Sequence, residues 1–265
     1  MLFATVGCSF TRGERLFYHR HVEDDVFLDN GRIRDNLGEG NAHNVPIPIF
    51  GQVPDRDGKH MDTATHQDKQ FMLDISYTGL LSKRLNCEYF TKSGDNFGNI
   101  ELIKEWVEIS RTVPERKLDF IVLQLTEPQR DLDRYWENSQ EFWDRFGSFS
   151  TSPEEKKKLL HHLEVEIPEH TVSKVLEVNK LCKDNDIDLL VWSWTSSMAE
   201  MLKDEDFFVK MEYEGKEYIS FQRMEKDCSV TLRQIFISTD SHPNKFFHVV
   251  LYDSIVRKLK ESGII

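Results

Sequence analysis

The chain has 265 residues, 39% of them hydrophobic and 30% charged, a composition that supports a buried core and excludes an intrinsically disordered chain. Its 34 basic and 46 acidic side chains leave a net charge of −12, which repels phosphate backbones and anionic headgroups and argues against nucleic-acid and membrane partners. No apolar run approaches the roughly 20 residues that span a bilayer, and the four cysteines, Cys8, Cys87, Cys182 and Cys228, form no C-x-x-C pair of the kind that marks a zinc site.

The opening run Leu2 to Val6, ending in Gly7, predicts a buried first strand, and it lacks the basic and long apolar regions of a secretory leader. From Arg12 to Gln70 the chain is polar and rich in Gly, Pro, Asn and Asp, which predicts a long insertion with small elements hidden in it. Leu80, Leu81 and Leu85 fit one face of a helix starting near Tyr77, and Cys87 to Thr91 predicts the second strand. After a turn at Ser93-Gly94-Asp95-Asn96, Ile100, Ile103, Trp106 and Val107 form the apolar stripe of a helix over 99–110. Leu118 to Leu125 is the expected third strand. Between Asp131 and Asn185 the pattern is helical and charged, with Ser152-Pro153-Glu154-Glu155 as a helix start, and Ile187 to Trp194 is the expected fourth strand.

Nearly continuous apolar strands separated by helices imply an α/β fold: a mainly parallel sheet covered on both faces, with its ligand site beyond the C-terminal strand ends. The expectation is a single cytoplasmic domain over 1–265, with a polar insertion at about 12–70 and a helical one at about 131–170, and with no cofactor and no metal.

Ser9 lies in Gly7-Cys8-Ser9-Phe10-Thr11-Arg12-Gly13, just after the first strand, where a nucleophile in a tight turn has backbone amides nearby and Gly7 tolerates unusual backbone angles. A serine in that place is by itself a common turn former. Its complement lies in Asp240-Ser241-His242-Pro243-Asn244, where His242 beside Asp240, braced by proline and a following helix, has the attributes of a general base. That helix carries Phe246, Phe247, Val250, Leu251 and Ile255 on its apolar side.

The first block resembles the G-D-S-x-x-x-G nucleophile block of the SGNH/GDSL hydrolases in a Cys-for-Asp variant. Asp240-Ser241-His242-Pro243 resembles their terminal D-x-x-H-P block, and Ser93-Gly94-Asp95-Asn96 looks like the block whose glycine amide serves the oxyanion hole. The resemblance implies a flavodoxin-like three-layer α/β/α sandwich with insertions, a catalytic set of Ser9, His242 and Asp240, and an oxyanion hole of Ser9, Gly94 and Asn96. It departs from the family at two points. Gln124-Leu125-Thr126-Glu127-Pro128 stands where the family has G-x-N-D, leaving Asn96, Gln129 and Arg130 as substitute donors, and Asp240 precedes His242 by two residues instead of three.

The implied function is an esterase removing a small acyl group, such as O-acetyl, from a carbohydrate or another small ester. The alternatives are a weakly active or inactive binding module on the same scaffold and an acyltransferase using the same chemistry. Other constellations read as structural. His19-Arg20-His21 with Glu23-Asp24-Asp25 reads as a solvated loop more than a metal site, and His161-His162 as surface. Cys8 reads as a small buried residue more than a second nucleophile. Trp192 and Trp194 read as core, and Trp136 and Trp143 as packing on one helix face.

Overall fold

Strands buried on both faces need no alternation of polar and apolar residues, which is why the apolar runs at the start and middle of the chain translate directly into a sheet. The computed structural model describes residues 1–7, 11, 66–93, 100–126, 152–227 and 245–265. In it β1 (Leu2–Gly7), β2 (Glu88–Ser93), β3 (Phe120–Leu125) and β4 (Asp188–Ser193) form one sheet in the order β2-β1-β3-β4, each neighbouring pair parallel. Each expected strand is present, with ends within two residues of those read from the sequence. The fold is α/β, compatible with a three-layer α/β/α arrangement.

Between β1 and β2 in the chain lie α1 (His66–Ile75) and α2 (Tyr77–Leu85), so helix begins inside the stretch expected to be polar insertion. α3 (Ile100–Thr112) lies between β2 and β3. α4 (Pro153–His161), a π turn (His162–Glu166) and α5 (Ile167–Lys183) precede β4, which α6 (Ser196–Leu202) follows. A 3-10 turn (Pro114–Arg116) follows α3; a hairpin of β5 (Met211–Tyr213) and β6 (Lys216–Tyr218), then α7 (Phe221–Asp227) and α8 (Lys245–Glu261), complete the described elements.

The chain divides into two compact units, Met1–Cys8 with Cys87–Met224, and Ser9–Asn86 with Glu225–Ile265. In the first, Ala4, Val6, Ile121, Leu123, Leu189 and Val191 face one way from the sheet and pack with Ile103 and Val107 of α3, Val175, Val178 and Cys182 of α5, and Leu202 of α6. Each valine, leucine or isoleucine among them taken fully out of water contributes about 1.5–3 kcal/mol before entropy is counted. On the other face Phe3 stacks on Phe120 with ring centroids 4.9 Å apart. At the β2 edge, Thr5 donates to its register partner Thr91 across 3.0 Å.

Beyond β4 the sheet gains a short fifth position. Phe208 bridges Val191 and Ser220 bridges Ser193, both parallel, with Val191 N–H donating to Phe207 O at 3.0 Å and Val209 N–H to Val191 O at 2.8 Å. α4 starts where the sequence indicates, on a reciprocal cap: Glu155 N–H donates to Ser152 Oγ at 3.2 Å and Ser152 N–H to Glu155 Oε2 at 3.0 Å.

In the second unit α2 turns off α1 at Ser76, whose hydroxyl donates to Leu73 O at 2.8 Å and accepts from Gly79 N–H at 3.3 Å. The buried side of α2 is Tyr77, Thr78, Gly79 and Leu81, with Leu80 and Leu85 only half buried, so the leucine spacing located the helix but not its inner face. α8 buries Phe247, His248, Val250, Leu251, Ser254, Ile255, Val256 and Leu259.

Candidate functional site

The C-terminal edge of a parallel sheet gathers the turns that leave each strand. Gly7 ends β1 in register with Ser93, the end of β2, and Leu125 ends β3 in register with Ser193, the end of β4. In the order β2-β1-β3-β4 the connections out of β1 and toward β3 run to opposite sides, and the crevice at such a switch point is where open α/β sheets bind ligands. Ser9 is two residues beyond Gly7 in the chain and Gly94 is the residue after Ser93. Gly7 itself is a paired, buried residue, the last of β1.

Ser9, Gly94, Asn96, Asp240 and His242 lie outside the described residues, as do Cys8, Gln129, Arg130, the 19–25 stretch, Trp136 and Trp143.

At the end of β4 a set of hydroxyls absent from the sequence reading comes together. Buried Ser193 donates from Oγ to Thr195 O at 2.8 Å, and Ser196 and buried Ser220 share a hydrogen bond of 2.9 Å between their Oγ atoms. Ser220 Oγ also accepts from Arg223 N–H at 3.1 Å, and Gln222 Oε1 accepts from Ser196 N–H at 3.1 Å. These bonds satisfy the turn into α6 and the start of α7, the ordinary work of serine at helix starts. The Thr195 hydroxyl, buried beside them, has no hydrogen-bond partner among the described residues.

A second polar cluster lies in the other unit. Tyr77 N–H at the start of α2 donates to Nδ1 of His248 on α8 at 3.2 Å, and the two rings stack with centroids 5.9 Å apart. The Tyr77 phenol donates to Thr11 Oγ1 at 3.2 Å. All three side chains are essentially buried, at 0%, 1% and 1% exposure for Tyr77, His248 and Thr11. An accepting Nδ1 fixes the neutral ring with its proton on Nε2. His248 carried no motif, and only its place on the apolar stripe of α8 hinted that it is buried.

No family model matches the chain, and neither a curated protein nor a solved structure does. Function is therefore read from residues and geometry.

The remaining constellations behave structurally. Trp192 is fully buried, and Trp194 stacks on Phe221 at 4.0 Å, both as core. His161 is exposed and His162 half buried; His162 hydrogen-bonds Glu166 one π turn on and holds that carboxyl below its ordinary pKa. Among the described residues no group of three His, Cys, Asp or Glu side chains is arranged to hold a metal ion, and no helix is long and apolar enough to cross a membrane. Burial pushes the Cys182 thiol up to about 12, with the charge of Asp188 adding to the effect, so it is no nucleophile in the folded protein.

Proposed function

We propose that the chain is a serine esterase of the SGNH/GDSL type, a single hydrolase domain over 1–265, with Ser9 as nucleophile and His242 as base. The observation that carries the reading is strand order: β1, the strand that leads into Ser9, is interior to the sheet and lies at its switch point. Register supports the oxyanion assignment, because the ends of β1 and β2 are paired and Gly94 follows β2 directly.

In this reading Ser9 Oγ attacks the acyl carbon while His242 takes the hydroxyl proton. The amides of Ser9 and Gly94 and the side chain of Asn96 stabilise the tetrahedral oxyanion. The carbon–oxygen bond to the alcohol then breaks, the proton passes from His242 to the departing oxygen, and water, activated by the same histidine, releases the acid. Asp240 orients the imidazole. The polar character of 12–70 favours a small acyl group on a carbohydrate as substrate.

The test is a fluorophosphonate probe with intact-mass and peptide readout: a single adduct on Ser9, lost in Ser9→Ala. Folded wild-type protein that takes up no adduct refutes the hydrolase reading. Carbohydrate binding in that inert protein would favour a binding module, the reading that Thr126-Glu127-Pro128 in place of the family's asparagine block supports.

A further inference from the structure

We infer that Tyr77 is a positioning residue that ties the segment carrying Ser9 to the helix that follows His242; this rests on the serine–histidine reading above. Thr11 is two residues beyond Ser9, and His248 is six residues beyond His242, in the first turn of α8. Tyr77 bonds to both, through its phenol to Thr11 Oγ1 at 3.2 Å and through its backbone N–H to His248 Nδ1 at 3.2 Å. The three groups come from parts of the chain 66 and 171 residues apart, and all belong to the same compact unit.

The clamp is stiff for identifiable reasons. Tyr77 is the first residue of α2 and is fully buried, and its backbone is fixed by the Ser76 cap and by the seat of Gly79 against α1, where even a methyl group has no room. Ring stacking on His248 adds contact area to the hydrogen bond. A nucleophile and base on separate segments gain rate from being held in register, and a misplacement of about 1 Å costs up to about 10²-fold. Among the described residues Tyr77 is bonded to Thr11 and His248, and the effect inferred for it on the chemistry passes through Thr11 and α8.

The experiment measures the rate of Ser9 phosphonylation by a fluorophosphonate, melting temperature, and hydrogen exchange in peptides containing Thr11. Tyr77→Phe and Thr11→Val each remove the same bond and are expected to slow labelling about tenfold, with melting temperatures close to wild type. The double variant is expected to be no slower than either single one, since partners in one bond do not add. Thr11→Ser, which keeps the hydroxyl, retains the wild-type rate. Wild-type labelling in Tyr77→Phe, or deficits that multiply in the double variant, overturns the inference. If wild-type Ser9 is unreactive, the hydrolase reading fails separately, and hydrogen exchange decides the clamp: faster exchange around Thr11 in Tyr77→Phe supports it, and unchanged exchange overturns it.

Discussion

A methyl group placed on Gly79 would sit 2.0 Å from the carbonyl oxygen of Leu73 and 2.9 Å from the Cα of Asp74, which is backbone on both counts and cannot swing aside. Gly79 is an ordinary helical residue, so its requirement is space and not backbone freedom. Gly79→Ala is expected to lose about 1–3 kcal/mol or more, as overpacking does, read as a lower urea midpoint at unchanged slope. Residue chemistry also separates the two members of the proposed base. Asp240 lies one residue closer to His242 than the family spacing, so Asp240→Asn is expected to reduce kcat less than His242→Ala does on a p-nitrophenyl acetate substrate. Equal losses would show that the shorter link still supports a full triad.

Among the elements, α5 illustrates how packing sets chemistry. Its inner face places Val175, Val178 and Cys182 in the sheet core, and the thiol, whose ordinary value is 9.0, is raised to about 12. The unfolded chain therefore loses this proton from about pH 9 upward while the folded protein keeps it. Fewer protons bound when unfolded means that stability falls as pH rises from 9 toward 12. Between pH 8 and pH 10 this group lowers unfolding free energy by about 1 kcal/mol. Urea melts at the two pH values, compared with Cys182→Ala, are expected to show a smaller pH loss in the variant. Elements also show where local reading stopped short. The β5–β6 hairpin turns at Glu214 and Gly215, with φ of 51° and 75°, the positive pair that a tight hairpin turn demands. A single glycine between two three-residue strands was too short a signal to stand out.

For the whole molecule the dominant quantity is charge. An excess of 12 negative charges means that folded compaction works against self-repulsion, most strongly at low ionic strength. Raising sodium chloride to about 0.15 M shortens the screening length to about 8 Å, so the melting temperature is expected to rise between low-salt buffer and that concentration. Scanning fluorimetry across a salt series checks this, and a falling melting temperature would show that specific ion pairs outweigh the net repulsion. The ion pairs of the described residues are mainly exposed and local, such as Arg111 with Glu108 and Lys203 with Glu200, and pairs of that kind contribute little.

β1, β3 and β4 were legible in the sequence because burial on both faces writes itself as an unbroken apolar run, as in Phe120 to Leu123 and Leu189 to Trp192. The start of α4 was legible too, because a capping serine and the glutamate that answers it are three residues apart. The order of blocks that nominated Ser9 and His242 was likewise a property of the linear chain. Tertiary structure alone decided that β1 lies between β2 and β3, that Gly79 is a contact point, that Ser193 meets Ser220, and that Tyr77 bonds both Thr11 and His248. The reason is range. Helix periods, caps and strand runs are enforced between residues a few positions apart, whereas strand order and the Tyr77 bonds join residues up to 171 positions apart, where no local pattern constrains the partner and only the packed chain selects it.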